Sequence, residues 1–129
     1  MFLIDTNILS YFVKGNSGVE NSFIKHSESI FLCSIVQSEC FFGAKKANKT
    51  SLVSVYDTIF ATYPVLAYDA KTAEIFIDLK VDLSNKGTIV EDFDLMIAAI
   101  ALANDLTLVT ANTKHFQRVE GLKVEDWSR

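Results

Sequence analysis

Asp5, Glu39, Asp94 and Asn112 are the residues of this chain whose types and places could do chemistry. Asp5 ends the apolar run Phe2-Leu3-Ile4, Asp94 opens the run Leu95 to Ala103, and Asn112 follows Leu106-Thr107-Leu108-Val109. Glu39 falls in a helical segment where Ile35, Val36, Phe42, Gly43 and Lys46 share its face at spacings of three and four. A glutamate on such a stripe is costly unless it has a partner. Taken alone, Asp5 reads as a helix cap. Three carboxylates gathered in one place repel and desolvate one another, which raises their pKa values, and a divalent cation removes that penalty. Donors that are all oxygen, with no His or Cys among them, suit Mg²⁺ or Mn²⁺ rather than zinc. Hydrolysis of a phosphodiester is the natural task of such a cluster.

The elements that must position these groups follow from the apolar pattern. Phe2-Leu3-Ile4, Ile30-Phe31-Leu32-Cys33, Pro64-Val65-Leu66 and Leu106-Thr107-Leu108-Val109 lack polar alternation, as strands buried on both faces of a parallel sheet do. Thr6-Asn7 is read as the cap of a helix from Ile8 to about Lys14, and Val19 to His26 as a short amphipathic helix. Ser34-Ile35-Val36-Gln37 has the form of a capping box opening a helix to about Ala47. Further helices are expected from Ser51 to Thr62 and from Ala70 to Asn85, the latter capped by Asp69 and closed by Lys86-Gly87. The run Leu95 to Ala103 is apolar on every helical face and belongs in the middle of a domain. Lys123-Val124 adds a candidate edge strand. The expectation is an α/β fold in one domain, residues 1–129, with a parallel four- or five-stranded sheet and helices on both faces, α/β/α in three layers. Right-handed crossovers then carry Asp5, Glu39, Asp94 and Asn112 to one edge of the sheet, where open α/β sheets bind ligands.

Composition narrows the classes of function. With 50% hydrophobic and 22% charged residues the chain is not disordered. Its net charge of −4 argues against a non-specific nucleic-acid coat protein, which draws affinity from surplus Lys and Arg. The longest apolar run is too short for a spanning helix, and the amino terminus lacks a signal-peptide pattern, so a cytoplasmic protein without membrane contact is expected. Cys33 and Cys40 fit no metal spacing and are read as buried free thiols. His26 is read as a surface residue, His115 as a rim residue without a general-base role, and the Phe residues mainly as core.

The segments Leu3-Ile4-Asp5-Thr6-Asn7, Ser38-Glu39-Cys40-Phe41-Phe42-Gly43-Ala44, Gly87 to Ala99, Leu108-Val109-Thr110-Ala111-Asn112 and Gly121 to Trp127, in this order, carry a resemblance. The chain resembles the PIN-domain ribonucleases, and within them the VapC toxins of bacterial toxin–antitoxin pairs, over nearly its whole length. The resemblance implies a metal-dependent endoribonuclease in which Asp5, Glu39 and Asp94 hold Mg²⁺, with Mn²⁺ able to substitute. It implies that Thr6 and Thr110 are supporting hydroxyls and that Asn112 occupies a fourth position that is often aspartate. An amide adds no charge there, so the set nearly neutralises one ion. Glu91 also departs from the pattern, where glycine is common, and is read as a solvent-exposed acid. The implied partners are an RNA substrate, a second copy of the chain and a VapB-type antitoxin. Initiator tRNA and the sarcin–ricin loop of ribosomal RNA are the leading substrate classes.

Lys45, Lys46, Lys114 and Arg118 are candidate contacts to RNA phosphates, and each also reads as plain surface charge or as a complement to a helix dipole. Two other functions fit part of the pattern. A phosphoacceptor receiver domain also sets acids at strand ends, but the 35 residues left after Asp94 in a chain of 129 are too few for its remaining strand–helix units. A PIN-like fold kept only for binding RNA or a partner is the other, against which the three acids speak.

Overall fold

The computed structural model describes residues 1–129. The elements run β1 (Phe2–Ile4), α1 (Thr6–Val13), α2 (Ser17–Lys25), β2 (Ile30–Cys33), α3 (Ser34–Lys46) and α4 (Thr50–Thr62). They continue with β3 (Val65–Leu66), α5 (Ala70–Asn85), α6 (Asp92–Ala103), β4 (Thr107–Val109), α7 (Thr113–Phe116) and β5 (Val124–Glu125). The strands form one five-stranded parallel sheet in the order β3-β2-β1-β4-β5, flanked by helices. The expected α/β architecture and the strand at the carboxyl-terminal edge are both present. No helix is long and apolar enough to cross a membrane.

β1 is the pivot of the sheet. Phe2 lies opposite Ile30 of β2 on one side and Thr107 of β4 on the other. The chain builds outward from β1 to β3, then returns across the sheet to add β4 and β5. The strand order therefore reverses beside β1, and the carboxyl ends of β1 and β4 open on the crevice that such a reversal creates. Leu3, Ile4, Leu108 and Val109 are fully buried there, together with the interior of α6. Leu95, Ile97, Ala98, Ala99, Ile100 and Ala101 of α6 are all buried, as a helix apolar on every face requires. Cys33 and Cys40 are buried and unpaired.

Two expected helix starts differ from those observed. α1 is capped by Asp5, whose side chain accepts from the Thr6 N–H, so Thr6 and Asn7 lie inside the helix with their side chains free for other partners. α3 begins at Ser34 itself, directly after the extended Cys33, and no capping box forms. With the helix already started, the Ser34 hydroxyl accepts from Tyr68 N–H instead and ties α3 to the segment after β3. The cap at Asp69 is as expected, accepting from the backbone and hydroxyl of Thr72, and these bonds lower the Asp69 pKa.

The carboxyl terminus folds back over the amino-terminal half. Trp127 packs edge-on against Phe2 and Phe23 and stacks on His26 at 5.3 Å between ring centroids. His26 is thus half-buried between Phe2 and Trp127, not a free surface residue, because only the folded chain brings Trp127 to it. Gly18 permits this approach. A Cβ at Gly18 would stand 2.7 Å from the Trp127 carbonyl and 3.2 Å from that of Arg129. Alanine gains about 1 kcal/mol of helix propensity over glycine, but a backbone carbonyl cannot swing aside as a side chain can. Gly18→Ala should therefore lower stability by about 1–3 kcal/mol, read from the urea midpoint, and a variant more stable than the parent would show the tail to be loosely held.

Candidate active site

Asp5 sits at the end of the central strand, only 4% exposed. Its N–H donates to the Val109 carbonyl at 2.9 Å, continuing the β1–β4 ladder by one residue. Its Oδ1 accepts from Thr6 N–H at 2.8 Å and its Oδ2 from the Thr110 hydroxyl at 2.8 Å. Asn7 completes the cage: its amide nitrogen lies 3.4 Å from both Asp5 Oδ2 and Thr110 Oγ, and its Oδ1 accepts from Ala111 N–H. Burial, opposed by the bonds from Thr110 and Thr6 and reinforced by the charges of Asp94 and Glu39, lifts the Asp5 pKa from the ordinary 3.8 to about 6.

Glu39 reaches the site from α3. The buried stripe of that helix is Val36, Cys40 and Ala44, so the expected core-facing stripe through Phe42, Gly43 and Lys46 is displaced by about one position. Phe42, Gly43 and Lys46 are exposed, and Glu39 lies half-buried at the margin, where its Oε1 accepts from the Thr6 hydroxyl at 2.7 Å. Thr6 thereby joins two of the acids, holding Asp5 by its backbone and Glu39 by its side chain. Asp94 is the third residue of α6, in the turn where the helix dipole favours an anion. It shares a pocket with Glu39, Glu91, Asp92 and Phe93. A second pocket, lined by Thr6, Ser38, Glu39, Phe42 and Phe93, adjoins it through Glu39 and Phe93.

Three of the four residues singled out in the sequence are thus brought around one crevice. Asn112 follows β4 at the same edge of the sheet. It is exposed, its backbone N–H donates to Thr110 Oγ, and its side-chain amide bonds to none of the acids. Two residues take a larger part in the site than the sequence assigned them. Asn7, expected only as a cap, is bonded into the Asp5 cage. His115, assigned only to the rim, places Nε2 at 3.2 Å from Asp94 Oδ2. The Asp-Thr-Asn triplet was a usable signal for Asn7, whereas nothing in the sequence ties His115 to Asp94. Glu91 is exposed at the pocket mouth. Of the candidate phosphate contacts, Lys45, Lys46 and Lys114 are exposed, with Lys46 Nζ 5.7 Å above the Phe42 ring. Arg118 is exposed but engaged, donating from Nε to the His115 carbonyl at 3.1 Å.

The donor set suits a divalent cation: three carboxylates crowd one crevice, and the one most deeply buried resists ionisation. In the conformation seen, no three His, Cys, Asp or Glu side chains meet closely enough to hold an ion. Asp5 and Glu39 are turned instead to partners of their own, Thr110 and Thr6, while Asp94 Oδ2 stands 3.2 Å from His115 Nε2 without an aligned bond. The thiols offer no alternative chemistry, since burial pushes Cys33 to about 11 and Cys40 to about 12.

The raised Asp5 pKa has a definite sign for stability. Below about pH 4 the carboxyl is protonated in both states and contributes nothing. Between about pH 4 and 6 the unfolded chain ionises while the folded one holds its proton, so stability falls as pH rises and then levels off. The shift corresponds to roughly 3 kcal/mol. Asp5→Asn should therefore be more stable than the parent above pH 6 when both are unfolded in chelator, with the gap closing by pH 4. A gap independent of pH would mean that Asp5 is not held as a buried acid.

Known proteins resemble this chain over nearly its whole length. The family model described as "PIN domain" matches residues 2–122. A protein named tRNA(fMet)-specific endonuclease VapC, from Shigella flexneri, is 33% identical over 98% of both chains. Ribonuclease VapC2 of Haemophilus influenzae is 30% identical over 98% of this chain and 97% of its own. Among solved structures, VapBC2 from Rickettsia felis bound to a DNA fragment from its promoter superposes with a TM-score of 0.92 at 31% identity, covering 98% of both chains. The receiver-domain alternative finds no support in these matches, and the chain belongs to the PIN-domain family and, within it, to the VapC-type ribonucleases.

Proposed function

We propose that this VapC-type ribonuclease is a Mg²⁺-dependent endoribonuclease toxin that cleaves tRNA and is neutralised by a VapB-type antitoxin. The observation that carries the reading is that Glu39 and Asp94 line one pocket beside Asp5, which is buried, hard to ionise and raised further by both their charges. Asp5, Glu39 and Asp94 would hold the ion. Bound Mg²⁺, or Mn²⁺ in its place, supplies Lewis acidity at the phosphoryl oxygen and lowers the pKa of water.

The protein's own contribution is placement. Thr110, Thr6 and Asn7 fix Asp5, and Thr6 fixes Glu39, so two carboxylates are oriented before substrate arrives. Water attacks phosphorus in line, the P–O3′ bond breaks, and the products are a 3′-hydroxyl and a 5′-phosphate with no covalent enzyme intermediate. Asn112, exposed at the end of β4, would steady the scissile phosphate or a bound water from the rim. Phe42 and Phe93, 68% and 56% exposed, face the second pocket and offer rings on which unpaired bases stack. That favours a loop over a duplex. Lys46 beside Phe42, Lys45, and Lys114 would meet the flanking phosphates.

The tRNA assignment rests on relatives from Shigella flexneri and Salmonella typhimurium that are named tRNA(fMet)-specific endonucleases. The antitoxin rests on solved VapBC structures from Rickettsia felis and Salmonella typhimurium. A basic antitoxin side chain entering the acid crevice would take the place of the ion, and a homodimer is the proposed assembly. In single-turnover cleavage of total tRNA, Asp5→Ala and Asp94→Ala should abolish product, and Asn112→Ala should slow it by about 10-fold. Chelator should stop the parent and added Mg²⁺ restore it. Cleavage that survives Asp5→Ala or chelation would overturn the assignment.

A further inference from the structure

The ring of His115 is the one buried polar group of this crevice without an aligned partner. Its Nε2 is shielded from solvent and makes no hydrogen bond of good geometry, while Asp94 Oδ2 stands 3.2 Å away. The other side of the ring is committed. Arg118, three residues on, donates from Nε to the His115 carbonyl at 3.1 Å and sets Nη2 against His115 Nδ1. A guanidinium carries only donors, so this contact favours the tautomer in which Nδ1 accepts and the ring proton sits on Nε2. A ring with that tautomer cannot ligate a metal through Nε2. It can only donate, and Asp94 is the acceptor it faces. The buried ring of Phe116, 1% exposed, anchors the short helix that carries His115.

Resting on the metal-dependent reading above, we infer that His115 is a positioning residue for Asp94, with its tautomer set by Arg118. The Nε2–H engages Oδ2 and leaves Oδ1 free for the divalent cation. The contact is at hydrogen-bond distance but off line, and contacts of this kind tighten when a site is loaded. The guanidinium, expected from the sequence to be a phosphate contact, is a brace for the imidazole. Partners that orient a ligating carboxylate in this way are typically worth about 10–100-fold in metal affinity.

Calorimetric titration with Mn²⁺ compares the parent with His115→Ala, His115→Gln and Arg118→Ala, circular dichroism confirming the fold of each. His115→Ala should weaken Mn²⁺ by about 10–100-fold. His115→Gln, whose amide nitrogen can stand near the position of Nε2, should recover most of the loss. Arg118→Ala should weaken binding by a smaller factor, since the ring is then free to change tautomer. Affinity equal to the parent in His115→Ala, or tighter, overturns the proposal alone. A parent that binds no Mn²⁺ overturns the metal-dependent reading and the proposal with it. Long-range proton–nitrogen NMR on the ion-free parent reads the tautomer directly: Nε2–H supports the proposal and Nδ1–H overturns it.

Discussion

The hydrogen bond from Thr110 to Asp5 closes the gap between the carboxyl ends of β1 and β4, and most of the site depends on it. A carboxylate at 4% exposure survives there because every polar atom around it is aimed inward: the Thr6 N–H, the Thr110 hydroxyl and the Asn7 amide. The central strand can end in an acid because the sheet reverses its order beside it, leaving a crevice where a helix would otherwise pack. The cost of that burial is visible in the raised pKa of Asp5. A scaffold that accepts such a cost holds a group in the one place where a cation would relieve it.

Thr6 extends the arrangement to α3. By holding Asp5 through its backbone and Glu39 through its hydroxyl, it couples the start of α1 to the second turn of a helix more than thirty residues later in the chain. Asp94 arrives independently, carried by α6, whose apolar interior leaves it no freedom to shift. The crevice is therefore assembled from elements that the sheet and core fix separately, and Asp5 and Glu39 each have a protein partner of their own. This explains why the carboxylates are near one another without closing on a common point.

The β4 side of the crevice is lined differently from its acidic floor. The amide of Asn112 faces solvent, and the nearest group to Asp94 is the imidazole of His115 backed by Arg118. The exposed rings of Phe42 and Phe93 lie on the opposite flank, with Lys46 above one of them. The site is thus acidic at its floor and aromatic and basic at part of its rim, a layout suited to gripping a phosphate between stacked bases.

The sequence by itself determined the order of elements, the buried strands and the interior helix, because unbroken apolar runs have few other uses. It also determined that Asp5, Glu39 and Asp94 reach one edge of the sheet, since right-handed crossovers leave them nowhere else to go. The tertiary structure decided what local pattern cannot carry. Whether a hydroxyl or carboxylate caps its own helix depends on where the strand before it ends, and this decided for Asp5 over Thr6-Asn7, both of which read as caps, and freed Ser34 for Tyr68. A helical stripe read from apolar residues is uncertain by a position when aromatic rings face a crevice, as Phe42 does, and this displaced the core face of α3. His115 and Asp94 are twenty-one residues apart on separate helices, and His26 meets Trp127 across most of the chain. Such contacts are set by how layers pack against the sheet, and no spacing along the chain encodes them.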